Sequence, residues 1–319
     1  SIVDLVDAPS SPTVKFNGSG SLMLLLKAPG YASIEQVAQP VIGLAGLRIN
    51  PANHSNEGEV AGVFNAITIK DVKSGKEYTL SGLPQNLRMT NITWSPQGDY
   101  FAFTQNSLTG VELWLADVKN FKAAKLASGF LNDAYGKTLQ WHPDGKHILA
   151  QFVSATGKAP VANLVPTGPV VQENLGVVTP SRTYQNLLSN DYDQLLMEHY
   201  LTSQLKMVDL NGQITNIGSP AIYRNTAYSP DGKFLMVQTI VKPYSYLVPI
   251  YYFPVNTDIL DDKGNLVKEL YKAPLAEKLP TGFDAVAMGP RNYEWRSDAA
   301  STLVWAEAQD KGDPNLKSD

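Results

Sequence analysis

The sequence predicts an all-β protein, a β-propeller of four-stranded antiparallel blades, on three observations. One short phrase, an aromatic followed by a tight turn and a β-rich apolar run, is written five times along the chain. Between copies, stretches that alternate apolar and polar residues turn back at Asp or Asn with Gly, as hairpins do. The 319 residues are 43% hydrophobic and 18% charged, which supplies a core and excludes a disordered chain.

The five copies are Phe16-Asn-Gly-Ser-Gly-Ser-Leu-Met-Leu-Leu, Trp94-Ser-Pro-Gln-Gly-Asp-Tyr-Phe-Ala-Phe, Trp141-His-Pro-Asp-Gly-Lys-His-Ile-Leu-Ala, Tyr228-Ser-Pro-Asp-Gly-Lys-Phe-Leu-Met-Val and Trp295-Arg-Ser-Asp-Ala-Ala-Ser-Thr-Leu-Val-Trp. In the three middle copies Pro presets φ at the first corner and Gly accepts the positive φ that closes the turn. Each copy therefore reads as strand, tight turn, strand. Phe16, Trp94, Trp141, Tyr228 and Trp295 are expected at equivalent places in successive blades, and loss of one buried ring should cost about 3 to 5 kcal/mol.

The second pattern occurs as Ile67-Thr-Ile-Lys-Asp-Val-Lys-Ser-Gly-Lys-Glu-Tyr-Thr-Leu, Val111-Glu-Leu-Trp-Leu-Ala-Asp-Val and Leu205-Lys-Met-Val-Asp-Leu-Asn-Gly-Gln-Ile-Thr. Each repeat is thus about four antiparallel strands. Such a sheet buries its faces by stacking on its neighbours around an axis. Only the step from Trp94 to Trp141 approaches a bare blade of about 40 to 50 residues. The longer steps predict insertions at Ala28 to Phe64, Val153 to Tyr200 and Pro243 to Asp258, with short helices at Ile34-Glu-Gln-Val-Ala and Tyr184-Gln-Asn-Leu-Leu. Residues 1–319 then read as four blades and the start of a fifth, a partial propeller domain whose open blade edges invite self-association.

Lys and Arg number 26 against 30 Asp and Glu, a net charge of −4 with pI near 5.6, so nucleic acid is not an expected partner. The apolar stretches Ser21 to Leu26 and Tyr246 to Val255 fall far short of the roughly 20 residues of a membrane span, and no membrane partner is expected. Cysteine is absent, which removes disulfides, thiolate metal sites and a cysteine nucleophile. Ser1, with neither Met nor a leader, reads as a processing boundary.

Several motifs lie in the insertions, where propellers in general share nothing. They are Leu5-Val-Asp-Ala-Pro-Ser-Ser-Pro, Glu35-Gln-Val-Ala-Gln-Pro, Leu44-Ala-Gly-Leu-Arg-Ile-Asn-Pro, Leu80-Ser-Gly-Leu-Pro, Val165-Pro-Thr-Gly-Pro, Gln172-Glu-Asn-Leu-Gly, Arg182-Thr-Tyr-Gln-Asn-Leu-Leu, Tyr244-Ser-Tyr-Leu-Val-Pro, Gly282-Phe-Asp-Ala-Val and Gly289-Pro-Arg-Asn-Tyr-Glu-Trp-Arg-Ser-Asp. With these the chain resembles, nearly end to end, the N-terminal propeller of prolyl oligopeptidase-family serine peptidases, in the glutamyl endopeptidase branch of bacteria and plastids. The resemblance implies a seven-bladed type, of which four to five blades are present. It also implies a C-terminal α/β-hydrolase domain, outside this chain, carrying the Ser, Asp and His triad on a Gly-x-Ser-x-Gly elbow. No such elbow occurs in the sequence; the nearest string, Gly18-Ser-Gly-Ser, puts glycine where serine belongs.

The expectation is a non-catalytic propeller that gates access of peptide substrate to a peptidase domain of the same polypeptide, with cleavage at Glu. A stand-alone protein-binding scaffold is the alternative. A peptidase selecting Glu must neutralise a carboxylate away from water, which a planar guanidinium does with two parallel hydrogen bonds. Arg48, Arg291 and Arg296 lie in the family-like motifs and are the candidates for reading substrate or contacting the second domain. The competing reading, favoured on frequency, pairs each with a local acid such as Glu294 or Asp298. No cofactor is expected. The four histidines, at 54, 142, 147 and 199, form no His-x-x-x-His pair, so no metal site is expected and His142 reads as a turn residue. Asp258, Asp261, Asp262 and Gly264 lack calcium-loop spacing and read as a hairpin turn. The cysteine-free, acidic chain suits the periplasm or another exported location, with the cytosol as the alternative.

Overall fold

The computed structural model describes residues 11–30, 33–57, 62–154, 157–161, 183–279 and 284–316. The motifs at Val165 and Gln172, and parts of those beginning at Leu5, Arg182 and Gly282, lie outside the described residues. The chain divides into two compact units, one of Ser1–Val41, Asn50–Val153 and Ser203–Ser219, the other of Ile42–Ile49, Ser154–Thr202 and Pro220–Asp319. Almost all regular structure is antiparallel β. Among the described residues no helix is long and apolar enough to cross a membrane.

In the first unit, β1 (Thr13–Phe16) and β2 (Leu22–Lys27) form a hairpin across the first repeat turn. The chain then departs through α1 (Ile34–Val37), β3 (Ile42–Leu44), β4 (Leu47–Asn50) and β5 (Ser55–Asn56). It returns as β6 (Ala66–Asp71) and β7 (Glu77–Tyr78), completing a four-stranded blade in the order β1-β2-β6-β7. The α1 turn forms where expected because Ser33 and Gln36 make a reciprocal capping box. The second blade is β8 (Met89–Trp94), β9 (Tyr100–Asn106), β10 (Val111–Asp117) and β11 (Lys122–Lys125), consecutive strands with no insertion.

Strand alternation decides the core. Phe101 and Phe103 of β9 point to one face and join Leu24, Leu26, Ile67, Ile69 and Met89. Ala102 points to the other and joins Leu113, Leu131, Ile148, Phe152 and Val208. Both faces of the second blade are buried, which is what the period of two requires of a blade between neighbours.

The third blade begins with β12 (Leu139–Trp141) and β13 (His147–Val153) and, after the long second insertion, adds β14 (Ser203–Asp209). Its outer strand is the first part of β15 (Ile214–Tyr228). The later part of β15, in the second unit, opens the fourth blade with β16 (Phe234–Ile240), β17 (Val255–Asp261) and β18 (Leu266–Ala273). A fifth pair, β19 (Arg291–Trp295) and β20 (Leu303–Ala306), follows.

The helix of the second insertion is α2 (Asp191–Leu201), N-capped by Asn190, and the run Tyr184 to Leu188 is not helical. Asn186 there takes φ 57°, and its carbonyl accepts the Gly46 N–H at 2.8 Å. Gly43 leaves room for the Asn186 side chain, since a Cβ on Gly43 would fall 2.3 Å from its Oδ1. Contacts distant in sequence thus override the local helical signal. The third insertion ends earlier than expected, at Pro254 after a 3-10 turn (Ile250–Tyr252), because Val255 to Asp258 already pair with β16. Asp258 sits inside β17. The turn is made by Asp261, whose carboxylate accepts the N–H groups of Lys263 and Asn265 at 2.9 and 2.8 Å.

Candidate functional site

Phe16, Trp94, Trp141, Tyr228 and Trp295 each end the first strand of a blade. The Trp141 indole N–H donates to the Thr93 carbonyl at 3.1 Å, and that of Trp295 donates to the Ala227 carbonyl at 2.9 Å. In both pairs the acceptor is the residue just before the repeat aromatic of the preceding blade. The Trp94 indole N–H is buried with no acceptor among the described residues, and Phe16 is 56% exposed.

The three candidate arginines have separate surroundings. Arg296 forms a bidentate pair with Asp298, at 3.0 and 2.6 Å, so a local acid occupies it. Arg48 lies exposed on β4, across from Gly43 in the β3-β4 hairpin. Arg291, at the start of β19, is half-buried, and its Nη1 is enclosed with no hydrogen-bond acceptor among the described residues.

Arg291 lines a cavity of about 480 Å³ in the second unit, a size typical of small-ligand clefts. A second guanidinium, that of Arg224, lines the same cavity, and its Nη1 donates to the Tyr251 carbonyl at 3.4 Å. Tyr251, Tyr252, Phe253, Tyr271 and Tyr293 contribute aromatic rings to walls otherwise built mostly of small apolar and amide side chains, and no acid is among the described lining residues. Burial, with Tyr271 and Glu307 nearby, pushes the Tyr293 phenol up to about 12, so it stays a neutral donor at physiological pH. A buried N–H donor left without an acceptor is costly, and an anion beside Arg291 Nη1 would supply one. A carboxylate entering this cavity would meet two cations and phenolic donors.

Arg224 was not singled out from the sequence, yet a signal for it exists. Arg224-Asn-Thr-Ala-Tyr228 and Arg291-Asn-Tyr-Glu-Trp295 are the same phrase, an Arg-Asn pair set before the repeat aromatic. In both strands this is where the pairing register slips, between Tyr223 and Asn225 and between Arg291 and Glu294. Asn91 of β8 occupies the corresponding place and, like Asn292, takes a positive φ, 48° against 53°. A bulge of this kind re-aims the adjoining side chains.

No family model matches the chain. Against curated proteins, it is 33% identical over 330 residues to a probable chloroplastic glutamyl endopeptidase of Oryza sativa subsp. japonica, covering 99% of this chain and 35% of that protein. It is 32% identical to a probable chloroplastic glutamyl endopeptidase of Arabidopsis thaliana, with 99% and 34% covered. Along nearly all of its length the chain is similar to these probable glutamyl endopeptidases. It spans about a third of the length of these relatives.

Solved structures that it resembles include the acylaminoacyl peptidase of Pyrococcus horikoshii, at TM-score 0.43 and 11% identity over 82% of this chain and 32% of that one. A prolyl endopeptidase gives TM-score 0.39 and 14% identity over 77% and 31%. TolB from Acinetobacter baumannii gives 0.33 and 13% over 91% and 58%.

Proposed function

We propose that this chain is the propeller portion of a serine peptidase, that it performs no bond cleavage itself, and that its Arg224–Arg291 cavity receives the carboxylate of a Glu-containing peptide. The observation that carries this reading is the relation to glutamyl endopeptidases along 99% of the chain. The cavity supports its specificity: a guanidinium reads a carboxylate with two parallel hydrogen bonds, and the phenols of Tyr271 and Tyr293 line the same space. The nucleophile belongs to an α/β-hydrolase domain beyond these 319 residues, and the propeller limits its access to peptides and unfolded segments. A periplasmic location is part of the same proposal, whereas the two plant relatives are named chloroplastic.

The test compares chromogenic peptides that differ only in Glu or Gln, using the full-length polypeptide. Arg291→Met and Arg224→Met should each lower kcat/KM for the Glu peptide by about tenfold or more, the size of one lost charge-assisted hydrogen bond, and leave the Gln peptide unchanged. The 319-residue chain alone should show no turnover. An unchanged Glu-to-Gln ratio in both variants would remove the cavity from specificity. Turnover by the isolated chain that survives repurification, and that a serine-reactive inhibitor abolishes, would overturn the non-catalytic reading.

A further inference from the structure

The turn between β12 and β13 carries two histidines that the sister turns lack. Its backbone is the same as theirs: the His142 N–H donates to the His147 carbonyl at 2.9 Å and the Gly145 N–H to the His142 carbonyl at 3.0 Å. The corresponding bonds in the second blade, Ser95 to Tyr100 and Gly98 to Ser95, are both 2.9 Å. In the sister turns a serine hydroxyl finishes the closure, Ser95 Oγ accepting the Tyr100 N–H and Ser229 Oγ the Phe234 N–H, each at 3.1 Å. In this turn Asp144 Oδ1 takes the place of the serine hydroxyl, accepting the His147 N–H at 3.2 Å, and His142 Nδ1 accepts the Asp144 N–H at 3.3 Å, so the closure does not require the His147 imidazole.

Their placement converges on one carboxylate. Asp144 Oδ1 lies 3.1 Å from His142 Nδ1, and Oδ2 lies 2.7 Å from His147 Nδ1. One ligand atom from each of the three residues falls within 4.8 Å of the others. The side chains are 17%, 34% and 40% exposed for His142, Asp144 and His147, so the cluster is walled on one side and open to water on the other. Asp209 stands opposite His147 in the strand register, which adds negative charge beside the cluster.

We propose that His142, Asp144 and His147 form a three-donor site for a late first-row divalent cation, with Zn²⁺ as the working occupant. Two imidazoles and one carboxylate suit zinc, nickel and copper(II), and three protein donors leave room for water to complete the coordination. A single carboxylate does not suit calcium or magnesium, which require shells built of oxygen. The spacing His-x-Asp-x-x-His is not that of a helical pair; the tight turn brings the donors together.

The full chain, freed of metal, is titrated with Zn²⁺ by calorimetry, with Mg²⁺ as control. The variants are His142→Ser and His147→Phe, which restore the residues of the sister blades, and Asp144→Asn. The wild type should take up one Zn²⁺ per chain with micromolar affinity or better. Each variant should bind at least about tenfold more weakly, and the double histidine variant should lose the zinc-induced rise in melting midpoint that a ligand of the native state produces. Zinc should also shift the NMR signals of His142 and His147 before those of His54 and His199, a readout that holds even if a variant fails to fold. Equal affinity in wild type and folded variants, uptake of less than one equivalent at millimolar zinc, or first shifts at His54 or His199 would each overturn the assignment.

Discussion

Trp141 and Trp94 end equivalent strands, but only the Trp141 indole N–H has an acceptor. Trp141→Phe should orphan the Thr93 carbonyl and destabilise the chain by about 1 to 3 kcal/mol. Trp94→Phe, which removes a buried donor that has no partner, should fall within about 1 kcal/mol of the parent on the same reasoning. Denaturant melts of the two variants check the contrast; equal losses would show that ring size, and not the hydrogen bond, sets the cost. Phe16 is more than half exposed, so Phe16→Ala should cost far less than a buried ring. Arg291 presents the same logic with a charge. Because its Nη1 is enclosed without an acceptor among the described residues, Arg291→Met should melt at or above the parent while Glu-peptide turnover falls. A lower midpoint would mean that the guanidinium is held by structure rather than reserved for ligand.

At the scale of the strand, four blades share a device: β6, β10, β14 and β17 end in Asp71, Asp117, Asp209 and Asp261. Each carboxylate folds back on its own turn, as Asp209 does in accepting the N–H groups of Asn211 and Gln213 at 2.8 Å each. The backbone N–H of Ser74 holds Asp71 below the usual carboxylate range, as that of Gln213 does for Asp209 and the Asn265 side chain for Asp261. At Asp117 burial acts the other way, and the Asn120 contacts outweigh it. A folded-state pKa below the unfolded value gives stability that is present above the unfolded pKa and lost as pH falls through the folded one. The chain should therefore hold a stability plateau above about pH 5 and lose it progressively below about pH 4. Asp209→Ala should lower the melting midpoint at neutral pH, and by less in acid once the pH has fallen through the lowered pKa of the parent carboxylate. An equal penalty at both pH values would show that the turn does not depend on the ionised group.

For the molecule as a whole, the exposed edge is the consequential feature. The β19-β20 pair has no third strand among the described residues, and β20 exposes Val304 at 43% and Trp305 at 52%. An apolar strand edge is a template for pairing with another chain. The 319-residue chain should self-associate as its concentration rises, and Trp305→Lys should shift it toward monomer. Light scattering checks this: a constant 34.8 kDa mass across the series would show the edge to be inert.

The propeller blades, their hairpins and the closing aspartates were legible in the sequence because their causes are local. A period of two, a Pro-x-Gly turn and an Asp at a strand end act within a few residues and repeat from blade to blade. The short α1 helix was legible for the same reason. Other features were settled only in three dimensions. Which arginine is left unpaired depends on where acids lie in space: Asp298 reaches Arg296, while no acceptor among the described residues reaches Arg291 Nη1. The cavity assembles side chains from Arg224 through Tyr251 and Tyr271 to Tyr293, a span that no local pattern encodes. Asn186 leaves the helical region because Gly43 and Gly46 receive it. His142 and His147 are near in sequence, but the turn, not their spacing, aims both at Asp144. Local order follows from neighbouring residues, whereas pairing, burial and convergence depend on which distant groups share one low-dielectric space.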